Sequence, residues 1–74
     1  MIYLKADKGD LFCYDAQSLT TLRFKNGEWE VSELTYAALM SEDSVSIVNE
    51  KQAKTISNGK GPEEALEQIQ NILS

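Results

Sequence analysis

Few side chains in this sequence could carry out chemistry. The 74 residues include no histidine and one cysteine, Cys13, with 12 acids against 7 bases. A histidine-dependent triad, the usual structural zinc sets and an internal disulfide cannot be assembled from such a chain alone. Nucleophilic work by Cys13 would need a histidine, a close cation or a helix N-terminus to lower its pKa. The nearest cation in sequence is Lys8, and Cys13 lies in a predicted strand. The expectation is a packed thiol acting as a small hydrophobe.

The carboxylates are equally unpromising as machinery. Asp7, Asp10 and Asp15 surround the first predicted hairpin. They lack the alternating oxygens and late bidentate Glu of a calcium loop, and aspartate is an ordinary turn-former. Glu28 and Glu30 have a spacing that acid–base work could use. The predicted register sets both opposite cations on an open sheet face, where nothing desolvates a carboxylate. Gly9, Gly27, Gly59 and Gly61 form no phosphate-cradling pattern and each has a turn or cap to serve. We expect no catalytic residue, no metal ligand and no cofactor, and read the chain as not an enzyme.

Two features remain as contact surfaces. Tyr3, Phe12 and Tyr14 form an amphipathic aromatic patch if the first hairpin places them on its outer face, and such rings are enriched in interface cores. The competing reading has them covering the sheet against a helix, because exposed apolar patches are rare on small monomers. Glu63, Glu64 and Glu67 form an acidic helix side that no base balances between Pro62 and Ser74. Glu63 and Glu67 are four residues apart and repel slightly, a pattern compatible with a surface meant for a basic partner. Alternatively this is a solvated face whose first-turn acids complement the helix dipole.

The elements that position these residues are well signalled. Asn26-Gly27 predicts a type I′ turn. Folding about it pairs Lys25 with Glu28, Phe24 with Trp29, Arg23 with Glu30 and Leu22 with Val31, so charges share one face and apolar residues the other. Ile2–Ala6 and Leu11–Asp15 read as two further strands joined through Asp7-Lys8-Gly9-Asp10. A two- or four-residue loop puts Tyr3, Lys5, Phe12 and Tyr14 on one face. A three-residue loop moves Phe12 and Tyr14 to the face of Leu4. The product is a four-stranded antiparallel meander.

Beyond Val31 the pattern turns helical. Ser32 reads as an N-cap for a short helix through Leu34, Tyr36, Ala37, Ala38, Leu39 and Met40. Val45-Ser46-Ile47-Val48 reads as a short extra strand. Asn49, with Gln52 three residues on, resembles a capping box for a second helix ended by Asn58-Gly59. Gly61 at the cap and Pro62 at the first helical position open a C-terminal helix with an apolar stripe of Ala65, Leu66, Ile69, Ile72 and Leu73. The linker Asn58-Gly59-Lys60-Gly61 leaves room for a hinge. The expected fold is a single α+β domain over residues 1–74, with helices covering one face of the meander and the amphipathic C-terminal helix packed on the sheet.

With a net charge of −5, direct nucleic-acid binding is disfavoured because phosphates would be repelled. The segment from Met1 to Lys5 has no basic n-region, and no apolar run approaches the ~18 residues of a membrane span. A cytoplasmic protein without a membrane partner is expected. The functional expectation is a non-enzymatic acidic protein-interaction module. In concrete form it is a small inhibitor or regulator, of the kind phages and mobile elements carry, that engages a basic, nucleic-acid-handling protein by steering and complementary charge. The alternatives are a homodimer or larger homo-oligomer without a foreign partner, and a small ligand-binding or enzymatic domain.

Overall fold

A computed structural model describes residues 1–73; Ser74 and the side chains of Ile72 and Leu73, two members of the predicted C-terminal stripe, lie outside the described residues. Asn26 and Gly27 adopt φ of 54° and 78°, which suits the type I′ turn that matches the twist of its strands. The turn joins β3 (Thr20–Lys25) to β4 (Glu28–Val31). All four cross-strand pairs read from the sequence are present.

The first hairpin, β1 (Ile2–Ala6) with β2 (Leu11–Asp15), uses the three-residue loop. Gly9 N–H donates to the Ala6 carbonyl and Ala6 N–H to the Asp10 carbonyl, both at 2.9 Å. Gly9 takes φ 97°, the left-handed position that closes such a loop and that favours glycine. Leu4 therefore faces Phe12 and Tyr3 faces Cys13. This one-residue choice of loop sends Phe12 to the opposite face from Tyr3.

A fifth strand, β5 (Val45–Val48), joins β1 to give the antiparallel order β4-β3-β2-β1-β5. Helix α1 (Tyr36–Met40) bridges from β4 to that far edge, and α2 (Glu50–Ile56) and α3 (Glu63–Leu73) follow. Helices covering one face only is the expectation that needs correcting. Leu39 of α1 is buried with Leu4, Ala6 and Phe12 on one face. Ala53 of α2 and Leu66 of α3 are buried with Tyr3, Leu11, Cys13, Leu22 and Trp29 on the other. A sheet whose strands carry apolar residues at both parities, as Leu11-Phe12-Cys13 does, must be covered on both sides.

The start of α1 also differs from expectation. Ser32 N–H continues the β3–β4 ladder to the Thr21 carbonyl at 2.9 Å, and the Ser32 hydroxyl accepts Leu34 N–H at 3.0 Å in a tight turn. Thr35 is the N-cap, its hydroxyl accepting Ala38 N–H at 3.1 Å. Ser and Thr have the same capping chemistry, so the ladder decides between them. Leu34 is thereby left outside the helix and exposed. At α2 the capping box of Asn49 and Gln52 is complete. At α3 the Pro62 carbonyl receives the first helical N–H, from Leu66 at 3.0 Å, so the cap falls one residue later than Gly61.

Candidate functional site

The aromatic trio does not share a face. Tyr3 and Phe12 are both buried, on opposite sides of the sheet. Tyr14 is half-buried and stacks on Tyr36 of α1 with centroids 4.4 Å apart and planes 12° from parallel. Phe12 and Tyr14 thus belong to the packing of α1, and the outward aromatic patch is corrected to a split set.

The acidic trio stays outside. Glu63, Glu64 and Glu67 are exposed on α3, the first two in its opening turn where the positive end of the helix dipole favours them. Among the six residues singled out from the sequence, the fold brings Tyr3 and Glu63 together. Both line a cleft of about 380 Å³ with Met1, Ile47, Val48 and Glu50. Burial raises the Tyr3 hydroxyl above its ordinary range, and the negative charges of Glu63 and Glu50 add to the shift. The cleft has an apolar floor from β1 and β5 and two carboxylates on its rim, one from the start of each of α2 and α3. Lys54 reaches the Glu50 carboxylate at 3.6 Å from the next turn of α2. Among the described residues Glu63 has no such ion pair. Glu64 turns to a different recess beside Trp29 and Lys60.

Ile47, Val48 and Glu50 escaped the sequence reading as contact residues. Val45–Val48 carries no charge, the usual mark of an edge strand, so its sequence resembles an interior one. Its placement at the sheet edge leaves Ile47 59% exposed. A second concave surface, of about 610 Å³, lies between Leu19, Val31, Leu34, Tyr36 and Ile69. Leu19 there is 75% exposed and has φ 55°, a left-handed backbone that bulky residues avoid.

Cys13, Asp10 and Asp15 have structural roles. Burial, reinforced by the charges of Asp15 and Glu63, pushes the Cys13 thiol up to about 12, so it is protonated near neutrality and poorly nucleophilic. Asp10 pairs with Arg23 at 3.3 Å, although the register sets Arg23 opposite Glu30. Asp15 accepts the Ser18 hydroxyl at 2.7 Å and Gln17 N–H at 3.3 Å, bonds that hold its carboxyl below the usual range. Among the described residues no three histidine, cysteine or acidic side chains converge as a metal site would require, and no helix is long and apolar enough to cross a membrane. Comparison with protein families, curated proteins and solved structures finds no match for this chain.

Proposed function

We propose that this chain is a non-enzymatic acidic protein-interaction module that acts in the cytoplasm on a partner with a basic surface. The reading rests on one observation: the Tyr3–Glu63 cleft joins an apolar floor to the carboxylates of Glu50 and Glu63. Lysine and arginine suit such a place, because their stems cover apolar surface while their heads meet carboxylate. The amphipathic C-terminal helix, packed on the sheet through Leu66, turns Glu64 and Glu67 outward and extends the negative field beyond the cleft. A site built to hold nucleic-acid phosphates presents the same lysines and arginines, so these carboxylates compete for them. The concrete form of the proposal is an inhibitor or regulator of a nucleic-acid-handling protein, of the type phages and mobile elements encode.

The test is affinity capture from host lysate at low and high salt, with mass spectrometry, using the wild type and the triple variant E63K/E64K/E67K. The proposal expects a basic protein that the wild type retains at low salt and releases at high salt, and that the folded triple variant fails to hold. Retention indifferent to both salt and charge reversal contradicts it. A homo-oligomer is the second reading, favoured by the apolar groove around Leu19, Val31 and Leu34. Sedimentation separates it, since the module reading expects a monomer.

A further inference from the structure

We infer that β5 is an open docking strand, to which the partner adds an extended segment with lysine or arginine on both sides of a short β-branched core. The inference rests on the interaction-module reading and specifies how the contact is made.

In an antiparallel ladder, residues alternate between pairs that exchange hydrogen bonds and pairs that do not. Asp7 N–H donates to the Ser44 carbonyl at 2.8 Å, continuing the register of Lys5 opposite Ser46 and Tyr3 opposite Val48. Those two pairs are therefore the bonded ones. Val45 and Ile47 direct their backbone groups away from β1. The ends of this outer edge are already satisfied. Val45 N–H returns to the Glu42 carbonyl at 3.2 Å. Asn49 N–H donates to Gln52 Oε1 at 3.2 Å, and the Asn49 carbonyl accepts Ala53 N–H at 3.0 Å. What faces outward is the N–H and carbonyl of Ile47 and the carbonyl of Val45, enough for one short added strand.

The two sheet edges differ in their protection. β4 carries Glu28 and Glu30, charges of the kind that discourage edge pairing, whereas β5 has none between Val45 and Val48. Ile47, more than half exposed, lines the cleft with Met1 and Glu63.

Charge selects the occupant. The strand is bracketed by Glu42 and Asp43 before it and Glu50 after it, with Glu63 across the cleft. A segment with cations on both flanks meets carboxylates at both ends. A second copy meets them less well: two-fold antiparallel pairing about Ser46 brings the Glu42-Asp43 turn of each copy toward Glu50 and Lys51 of the other, with Lys54 already engaged by Glu50 at 3.6 Å, in a protein already at −5.

The test uses a fluorescent peptide, Lys-Arg-Thr-Val-Thr-Val-Arg-Lys, and a counterpart with its central Val-Thr replaced by Pro-Pro. Fluorescence anisotropy reads affinity, and amide hydrogen exchange by NMR reads the edge. The expected result is binding of the first peptide with slowed exchange at the Ile47 amide, and at least about tenfold weaker binding of the proline counterpart. On the protein side, Ile47→Pro removes the outward N–H at the kind of edge position where proline is tolerated. It should abolish binding, whereas Ile47→Thr keeps the N–H and stays within a few-fold. E50K/E63K should weaken binding by about tenfold. If Ile47→Pro does not fold, the peptide pair carries the test. Equal binding of both peptides with an unprotected Ile47 amide overturns strand addition and leaves a charge-driven module standing. No binding of the first peptide overturns strand addition, and the lysate capture, which needs no extended segment, then decides the module reading by itself. Protection of Ile47 without peptide, rising with protein concentration, assigns the edge to a second copy and overturns the partner inferred.

Discussion

The indole Nε1 of Trp29 donates to the carbonyl of Lys60 at 2.8 Å, tying the second hairpin to the segment between α2 and α3. That segment looks hinge-like in sequence because of Asn58, Gly59 and Gly61. The bond, with Lys60 N–H donating to the Ser57 carbonyl at 3.1 Å, fixes it instead. Trp29 is also buried against Leu66 and tilted on Phe24 with ring centroids 5.2 Å apart. Two losses can thus be separated at this position. Trp29→Phe removes the hydrogen bond and should cost about 1–2 kcal/mol. Trp29→Ala also empties the core site and should cost roughly 3–5 kcal/mol, a large share of the stability of so small a domain. Urea unfolding of both variants checks the order, and a phenylalanine variant as stable as the wild type would show that the bond to Lys60 contributes nothing.

Leu19 offers a test in the other direction. Its side chain is mostly in solvent while its backbone is left-handed, a conformation costing roughly 1–2 kcal/mol for a residue with a Cβ. Glycine relieves that cost but adds about 0.5–1 kcal/mol of unfolded-state entropy to overcome. Leu19→Gly should therefore leave stability unchanged or raise it by up to about 1 kcal/mol. Leu19→Val, β-branched, should lower it. Thermal melts rank the three proteins, and a destabilised glycine variant would mean the leucine side chain is packed rather than displayed.

The pH dependence follows from Cys13. An ordinary thiol titrates near 9.0, and burial holds this one at about 12. Below the lower value both native and unfolded thiols keep their proton, so the thiol's contribution is fully present. Between the two the unfolded thiol ionises and the native one does not, so stability falls as pH rises. Tyr3, also shifted upward by burial and by the nearby Glu63, acts in the same sense above its ordinary 10.0. Urea unfolding at several pH values in this alkaline window should give a flatter slope for Cys13→Ala than for wild type. Parallel slopes would show that the thiol is not the group responsible.

Legibility of the fold followed the reach of the interactions. The Asn26-Gly27 hairpin was readable because one turn signal and four matched pairs lie within twelve residues. The Asn49 capping box and the Asn58-Gly59 stop were readable for the same reason. The register of β1 and β2 hung on whether the loop held two, three or four residues, and the decisive sign was a glycine at its third position, Gly9, suited to the left-handed closure. Which of Ser32 and Thr35 caps α1 depends on a ladder bond from Ser32 to Thr21 across the sheet, which local pattern does not reveal.

The candidate site was legible only in halves. Tyr3 and Glu63 could each be marked as contact residues by type, but sixty residues of chain separate them, and only the fold, which buries Leu66 of α3 in one cluster with Tyr3, makes them neighbours. The contribution of Ile47 was hidden because an uncharged β-branched run reads as a protected strand. Its exposure follows from the position of β5 outside β1, a topological choice that alternation does not encode.

Whether carboxylates beside an apolar cleft draw in a basic partner is read from association kinetics. The rate constant for binding of the captured partner would be measured across a salt series for wild type and for E50K/E63K. The expected result is a wild-type rate that falls steeply with salt and a variant that is slower at low salt and nearly salt-independent, with dissociation changing less. Coincident salt profiles for the two proteins would contradict it.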